Sequence, residues 1–128
     1  MKHKRKDMPV FTGVVKYFPD ALKYVSLISQ AGNDQHHPDK PLHWDRTKSF
    51  DHEDALMRHL ADHTTSVIDD DGYLHLGKVA WRALAALQTY LENHEAANNW
   101  SDTFGEAEEA PQLQVYTKIT TTVRPTNR

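Results

Sequence analysis

Histidines, aspartates and arginines recur at helical spacing through Asp51-His52-Glu53-Asp54-Ala55-Leu56-Met57-Arg58-His59-Leu60-Ala61-Asp62-His63. Side chains four and seven positions apart on a helix share a face. His52, Leu56, His59 and His63 therefore form one stripe, and Asp51, Asp54, Arg58 and Asp62 form the next. Neutral imidazoles beside hard carboxylates suit a divalent cation. His59 and His63, four apart, are a pair able to grip one ion. The HExxH pattern is absent, and the bland alternative is a solvated helix face carrying surface histidines. An oxygen-only site for magnesium through Asp54, Asp69 and Asp71 is a further option.

Arg46, Lys48, Arg58, Lys78 and Arg82 are the cations around this region. A guanidinium fork matches phosphate oxygens and an ammonium supplies a point charge. Arg58 can equally pair with Asp54 or Asp62 on its own helix. His75, Lys78 and Arg82 recur at spacings of three and four along an otherwise core-forming helix, which fits phosphate recognition better. For a nucleotide base, Trp44 in His43-Trp44-Asp45-Arg46 offers an indole for stacking, and Asp45 can accept from an amino group; Trp81 reads as core. No nucleophile elbow, Walker A loop or Rossmann glycine pattern is present.

The elements that must carry these groups follow from periodicity. Pro19 suits the first turn of a helix over about 19–31, with Ala21, Val25, Ile28 and Leu22 apolar and Gly32-Asn33 as its stop. Residues 33–48 read as a structured loop around His36-His37-Pro38-Asp39-Lys40-Pro41. A second helix covers about 51–63, capped by Ser49 or Asp51, and Asp69-Asp70-Asp71-Gly72 favours a tight turn. The third, about 74–95, has a broad apolar face of Leu76, Ala80, Ala83, Leu84, Leu87 and Leu91.

The fold class expected is thus mainly α, a small helical domain at 13–97 behind a flexible lead at 1–12. An acidic linker and strand-like tail occupy 98–128, where Leu113, Val115, Tyr116, Ile119 and Val123 sit among threonines in imperfect alternation, a composition that favours a strand. Such a strand must pair with a second copy, dock on the body or stay disordered. Only 38% of the 128 residues are hydrophobic, and the mean hydropathy is −0.73, which suggests disordered ends, a homo-oligomer or both. A net charge of −3 argues against general nucleic-acid binding. The basic start lacks an apolar run, so no signal peptide or membrane span is expected, and zero cysteines fit a reducing cytoplasm.

Gly13-Val14-Val15-Lys16-Tyr17-Phe18-Pro19-Asp20-Ala21-Leu22, Pro41-Leu42-His43-Trp44-Asp45-Arg46, Asp51 to Leu60, Asp71-Gly72, His75 and Ala80-Trp81-Arg82-Ala83-Leu84-Ala85 follow one order. Over about residues 13–93 the chain resembles the phage and prophage family named for a dATP/dGTP diphosphohydrolase N-terminal domain. That family is associated with MazG-like nucleotide pyrophosphohydrolases, which carry paired magnesium-binding glutamates on adjacent helices. This chain has no matching pair, since Glu106, Glu108 and Glu109 lie in a weakly patterned segment. The resemblance implies a helical, phage-associated protein acting on purine deoxynucleotides.

Two readings are compatible with it. In the first, Mg²⁺ or Mn²⁺ is held by Asp51, His52, Asp54, His59 and Asp71, with Asp54 and His59 in the chemistry. Trp44, Asp45, Arg46, Arg58, His75, Lys78 and Arg82 then bind the nucleotide that is hydrolysed. In the second, the protein sequesters a host immune signalling nucleotide as an anti-defence sponge, without metal or catalysis.

Overall fold

The computed structural model describes residues 4–94, and these are mainly helical. A 3₁₀ turn at Arg5–Asp7 and a π turn at Phe11–Val15 precede three α-helices: α1 (Pro19–His36), α2 (His52–His63) and α3 (His75–Asn93). Short helical turns thus stand within the stretch expected as a flexible lead. The acidic linker and the strand-like tail lie outside the described residues. The chain divides into two compact units, one spanning Val10–Thr89 and one containing the described residues 4–9 and 90–94. In the latter, the rings of Tyr90 and His94 stack with centroids 4.4 Å apart. Everything that follows concerns Val10–Thr89.

α1 begins where Pro19 can occupy the first helical position, with a fixed φ and no amide to satisfy. It runs past Gly32-Asn33 instead of stopping there. The physical reason is Asn33, which is buried on the helix and spends its amide on the following loop. Its Nδ2 donates to the Lys40 carbonyl at 3.0 Å and its Oδ1 accepts from the His43 amide at 3.4 Å. Pro38 then ends the helix, because the residue before a proline is steered out of the helical region; His37 has φ −142° and ψ 62°. Asn33→Ala leaves two loop backbone groups without partners and is expected to cost about 1–3 kcal/mol. Urea unfolding followed by circular dichroism measures this, and an unchanged midpoint would remove Asn33 as the loop's anchor.

Between α2 and α3 the chain makes a small hairpin. Ile68 pairs with Leu74 in an antiparallel bridge, and the Asp69 amide donates to the Tyr73 carbonyl at 2.8 Å. Gly72 sits at φ 87°, the left-handed conformation a glycine adopts without steric cost. This turn points Asp69 and Asp71 back towards the start of α3.

α1 meets α3 at a close approach. The Leu74 amide donates to Tyr24 Oη at 2.8 Å, Trp81 Nε1 donates to Ser29 Oγ at 2.8 Å, and Gly77 lies under the Tyr24 ring. Among the described residues the buried apolar side chains are only Ala55 and Ala85, whereas Phe11, Tyr17, Phe18, Leu27, Leu84 and Leu87 are exposed. The three helices are therefore held as much by polar contacts as by apolar burial.

Candidate active site

Three side chains from three segments converge: His59 on α2, Asp69 in the hairpin and His75 at the first position of α3. The two histidine Nδ1 atoms lie 3.0 Å apart, so one ring donates and the other accepts. Asp69 Oδ2 is 3.8 Å from His59 Nδ1 and 3.9 Å from His75 Nδ1. An ion bound at about 2.1 Å spaces its neighbouring donors about 3.0–3.4 Å apart in octahedral or tetrahedral geometry. The imidazoles already meet that spacing and Asp69 falls short by a few tenths of an ångström, so the trio fits a divalent cation. Burial, then the neighbouring Lys78 ammonium, holds His59 below its usual imidazole range, which keeps a lone pair available.

Lys78, one turn into α3, ties the same hairpin down. Its Nζ donates to Asp69 Oδ2 at 2.6 Å and also to Asp71 Oδ2. The Lys78 hydrogen bond, followed by the Asp70 amide, holds the Asp69 carboxyl below its usual range. For Asp71, burial pushes the other way, but the Lys78 and Tyr73 hydrogen bonds outweigh it and its value is also lowered.

Arg82, a further turn along, forms a second cluster. Its Nη1 donates to Ser49 Oγ at 2.7 Å and to His52 Nδ1 at 3.0 Å. Ser49 in turn donates to Asp51 Oδ1 at 2.7 Å. Asp51 occupies the N-cap position of α2 without capping an amide through its side chain. Burial, then Arg82, keeps His52 below its usual value, which suits an imidazole acting as acceptor. Trp44 and Trp81 stand edge to face at 5.7 Å beside it. The Arg46 guanidinium carbon lies 4.0 Å from the Trp44 ring centroid.

The residues expected to share one metal site are therefore distributed. His59 joins Asp69 and His75; Asp71 is one lysine away; Asp51 and His52 belong to the Arg82 cluster; Asp54 is exposed. Among the nucleotide-binding candidates, Arg58 is exposed and 3.6 Å from Asp51. Asp45 accepts from the Thr47 amide and hydroxyl. His63, the partner first considered for His59, has a buried Nδ1 with no hydrogen-bond partner. The acidic turn was the available signal for Asp69, since Gly72 bends it back over α3. Ser49 was expected only as a cap and instead links Arg82 to Asp51.

A cleft of about 950 Å³ is lined among others by Asn33, Trp44, Asp45, Ser49, His59, Asp71, Lys78, Trp81 and Arg82, so that of the trio His59 is the member on its wall. That volume accommodates a small molecule of nucleotide size. Fold and cleft together define a small helical protein in which cations, imidazoles, carboxylates and indoles face one ligand-sized space. The chain belongs to the dATP/dGTP diphosphohydrolase N-terminal family, whose profile matches residues 2–99. That family's description connects it with nucleotide hydrolysis. No curated protein and no solved structure matches the chain. Among the described residues no helix is long and apolar enough to cross a membrane.

Proposed function

We propose that this protein binds a purine deoxynucleoside triphosphate in the cleft and hydrolyses it between its phosphates with a divalent cation. The observation that carries this reading is the convergence of His59, Asp69 and His75 beside Lys78 and Arg82. Two imidazoles and one carboxylate would hold the ion, a donor set that favours Mn²⁺ over the oxygen-seeking Mg²⁺. Such an ion, when bound, supplies Lewis acidity at phosphate oxygens. Lys78 and Arg82 donate to those oxygens as negative charge develops. Asp71, which lines the cleft and is half-exposed, would accept a proton from the attacking water. Trp44 stacks on the purine once Arg46 yields its face. Asp54, exposed and away from the trio, has no part in this scheme.

The exposed apolar side chains of Val10–Thr89 support a homo-oligomer in which a second copy covers them. A phage-encoded protein working on the nucleotide pool of the host cytoplasm fits this chemistry.

One observation favours sequestration instead: Lys78 already ion-pairs with both the Asp69 and Asp71 carboxylates, so a cation occupies their side of the site without any divalent ion. Incubation of the full chain with dATP, dGTP or cyclic dinucleotides, with Mn²⁺, Mg²⁺ or neither, separates the two. After denaturation and anion-exchange chromatography, deoxynucleoside monophosphate and pyrophosphate in the Mn²⁺ samples are expected. Intact nucleotide recovered from the protein under every condition would establish sequestration, and nucleotide that never co-elutes with the protein and is never cleaved would end both readings.

A further inference from the structure

We infer that Lys78 is a displaceable internal cation that makes divalent-ion binding and phosphate binding depend on each other. This rests on reading His59, Asp69 and His75 as the cation site and goes on to its regulation.

The Asp69 oxygen that faces both imidazoles is also the one Lys78 holds: Oδ2 in every case. An ion coordinated by that oxygen at about 2.1 Å would lie within about 4.7 Å of the ammonium nitrogen. Two positive centres that close, with the lysine side chain only 18% exposed, repel with little solvent screening. While Lys78 stays on Asp69 it therefore opposes the ion, and it also consumes carboxylate charge the ion needs. Asp71 is a second anchor on the same ammonium, so the lysine does not drift away by itself.

A phosphate group changes the balance. Lys78 and Arg82 are four residues apart on α3, hence on one face, and both line the cleft that holds His59 and Asp71. Phosphate oxygens entering there offer the ammonium new acceptors. Lys78 then turns from Asp69 to the phosphate, Oδ2 is released to the ion, and the anion screens the remaining repulsion. Linkage requires the reciprocal effect: a bound ion must strengthen phosphate binding by the same factor. The site would thus assemble around its ligand, and stay closed to free metal in its absence.

The test is Mn²⁺ binding to the full chain, read by the electron paramagnetic resonance signal of free Mn²⁺. It is run with and without dAMP, chosen because a monophosphate chelates the ion weakly. For wild type, saturating dAMP is expected to raise Mn²⁺ affinity at least fivefold. Lys78→Met, which keeps the apolar stem and removes the charge, is expected to bind Mn²⁺ at least tenfold more tightly than wild type without dAMP and to gain less than twofold from it. Lys78→Gln repeats the measurement if the methionine variant fails to fold by circular dichroism. Mn²⁺ bound by wild type but with unchanged or weaker affinity in the folded variant overturns the inference and leaves the cation site standing. Absence of Mn²⁺ binding in wild type and variant alike overturns both.

Discussion

Replacing His75 with alanine is expected to abolish Mn²⁺ binding and to lower any Mn²⁺-dependent cleavage of dATP by more than about 100-fold, whereas His63→Ala should change neither. Loss of an outer partner that merely orients a metal ligand typically costs 10–100-fold, so loss of one ligand of three sets a larger expectation. His75 is buried at the start of α3, with its Nδ1 on His59. Alanine there is a better helix former, so the helix should persist and circular dichroism should show it. His63 is the matched control: it lies one turn from His59 on the same helix but its Nδ1 has no partner. Because His59 is held below its usual imidazole range, ion binding should persist at neutral pH and weaken only as protons compete under the ordinary imidazole value. Retention of Mn²⁺ by the His75 variant would move the ion away from the trio. His52→Ala and Asp54→Ala would then decide whether it sits at the N-terminal end of α2.

The helices were legible in the sequence because each has a period and a boundary signal. Pro19 starts α1, Gly72 closes the turn before α3, and the leucines of α3 repeat at helical spacing. The end of α1 was not legible, since Gly-Asn is a common stop and nothing local says that Asn33 will be buried with two loop groups on its amide. The site was legible by residue type and partly by partner. His59, Lys78 and Arg82 line the cleft, while His75 is buried against His59. Periodicity assigns side chains to faces of one helix, and it cannot say which face of another element comes opposite. His52 and His59 share a stripe on α2, yet one ends against Arg82 and the other against His75. Asp69 was read for its turn-forming and oxygen-donor properties alone. Its place between two imidazoles depends on a hairpin fixed by backbone pairing, at Ile68 and Leu74, that leaves almost no mark on composition.

Gly77→Ala is expected to destabilise the protein by about 2–4 kcal/mol, against an ordinary gain of up to about 1 kcal/mol for alanine over glycine inside a helix. The sign is set by what the new methyl meets. A Cβ at this position would lie 2.6 Å from Tyr24 Cε1, 2.7 Å from Tyr24 Cδ1 and 3.2 Å from Ile28 Cγ1. The tyrosine ring cannot simply swing aside, because its Oη accepts the Leu74 amide, one of the orphan donors at the start of α3. Either that bond breaks or α1 and α3 separate. For a unit of this size each kcal/mol corresponds to roughly 4–8 °C, so the melting temperature should fall by roughly 8–32 °C. Gly32→Ala is the internal contrast: a Cβ there meets nothing within 4 Å, and the change should be neutral or slightly stabilising. The consequence extends to chemistry, since His75 and Lys78 flank Gly77 and ride on the same turn. A shift of that turn moves an imidazole away from His59 and the ammonium away from Asp69, so Mn²⁺ affinity should fall in the folded Gly77 variant at temperatures well below its transition. Removing the ring's bulk with Tyr24→Leu in the same chain should recover part of both losses, as coupled neighbours do. A Gly77→Ala protein that melts at or above the wild-type temperature would mean that α1 and α3 do not approach so closely, and that something other than this helix crossing holds the two halves of the cleft in register.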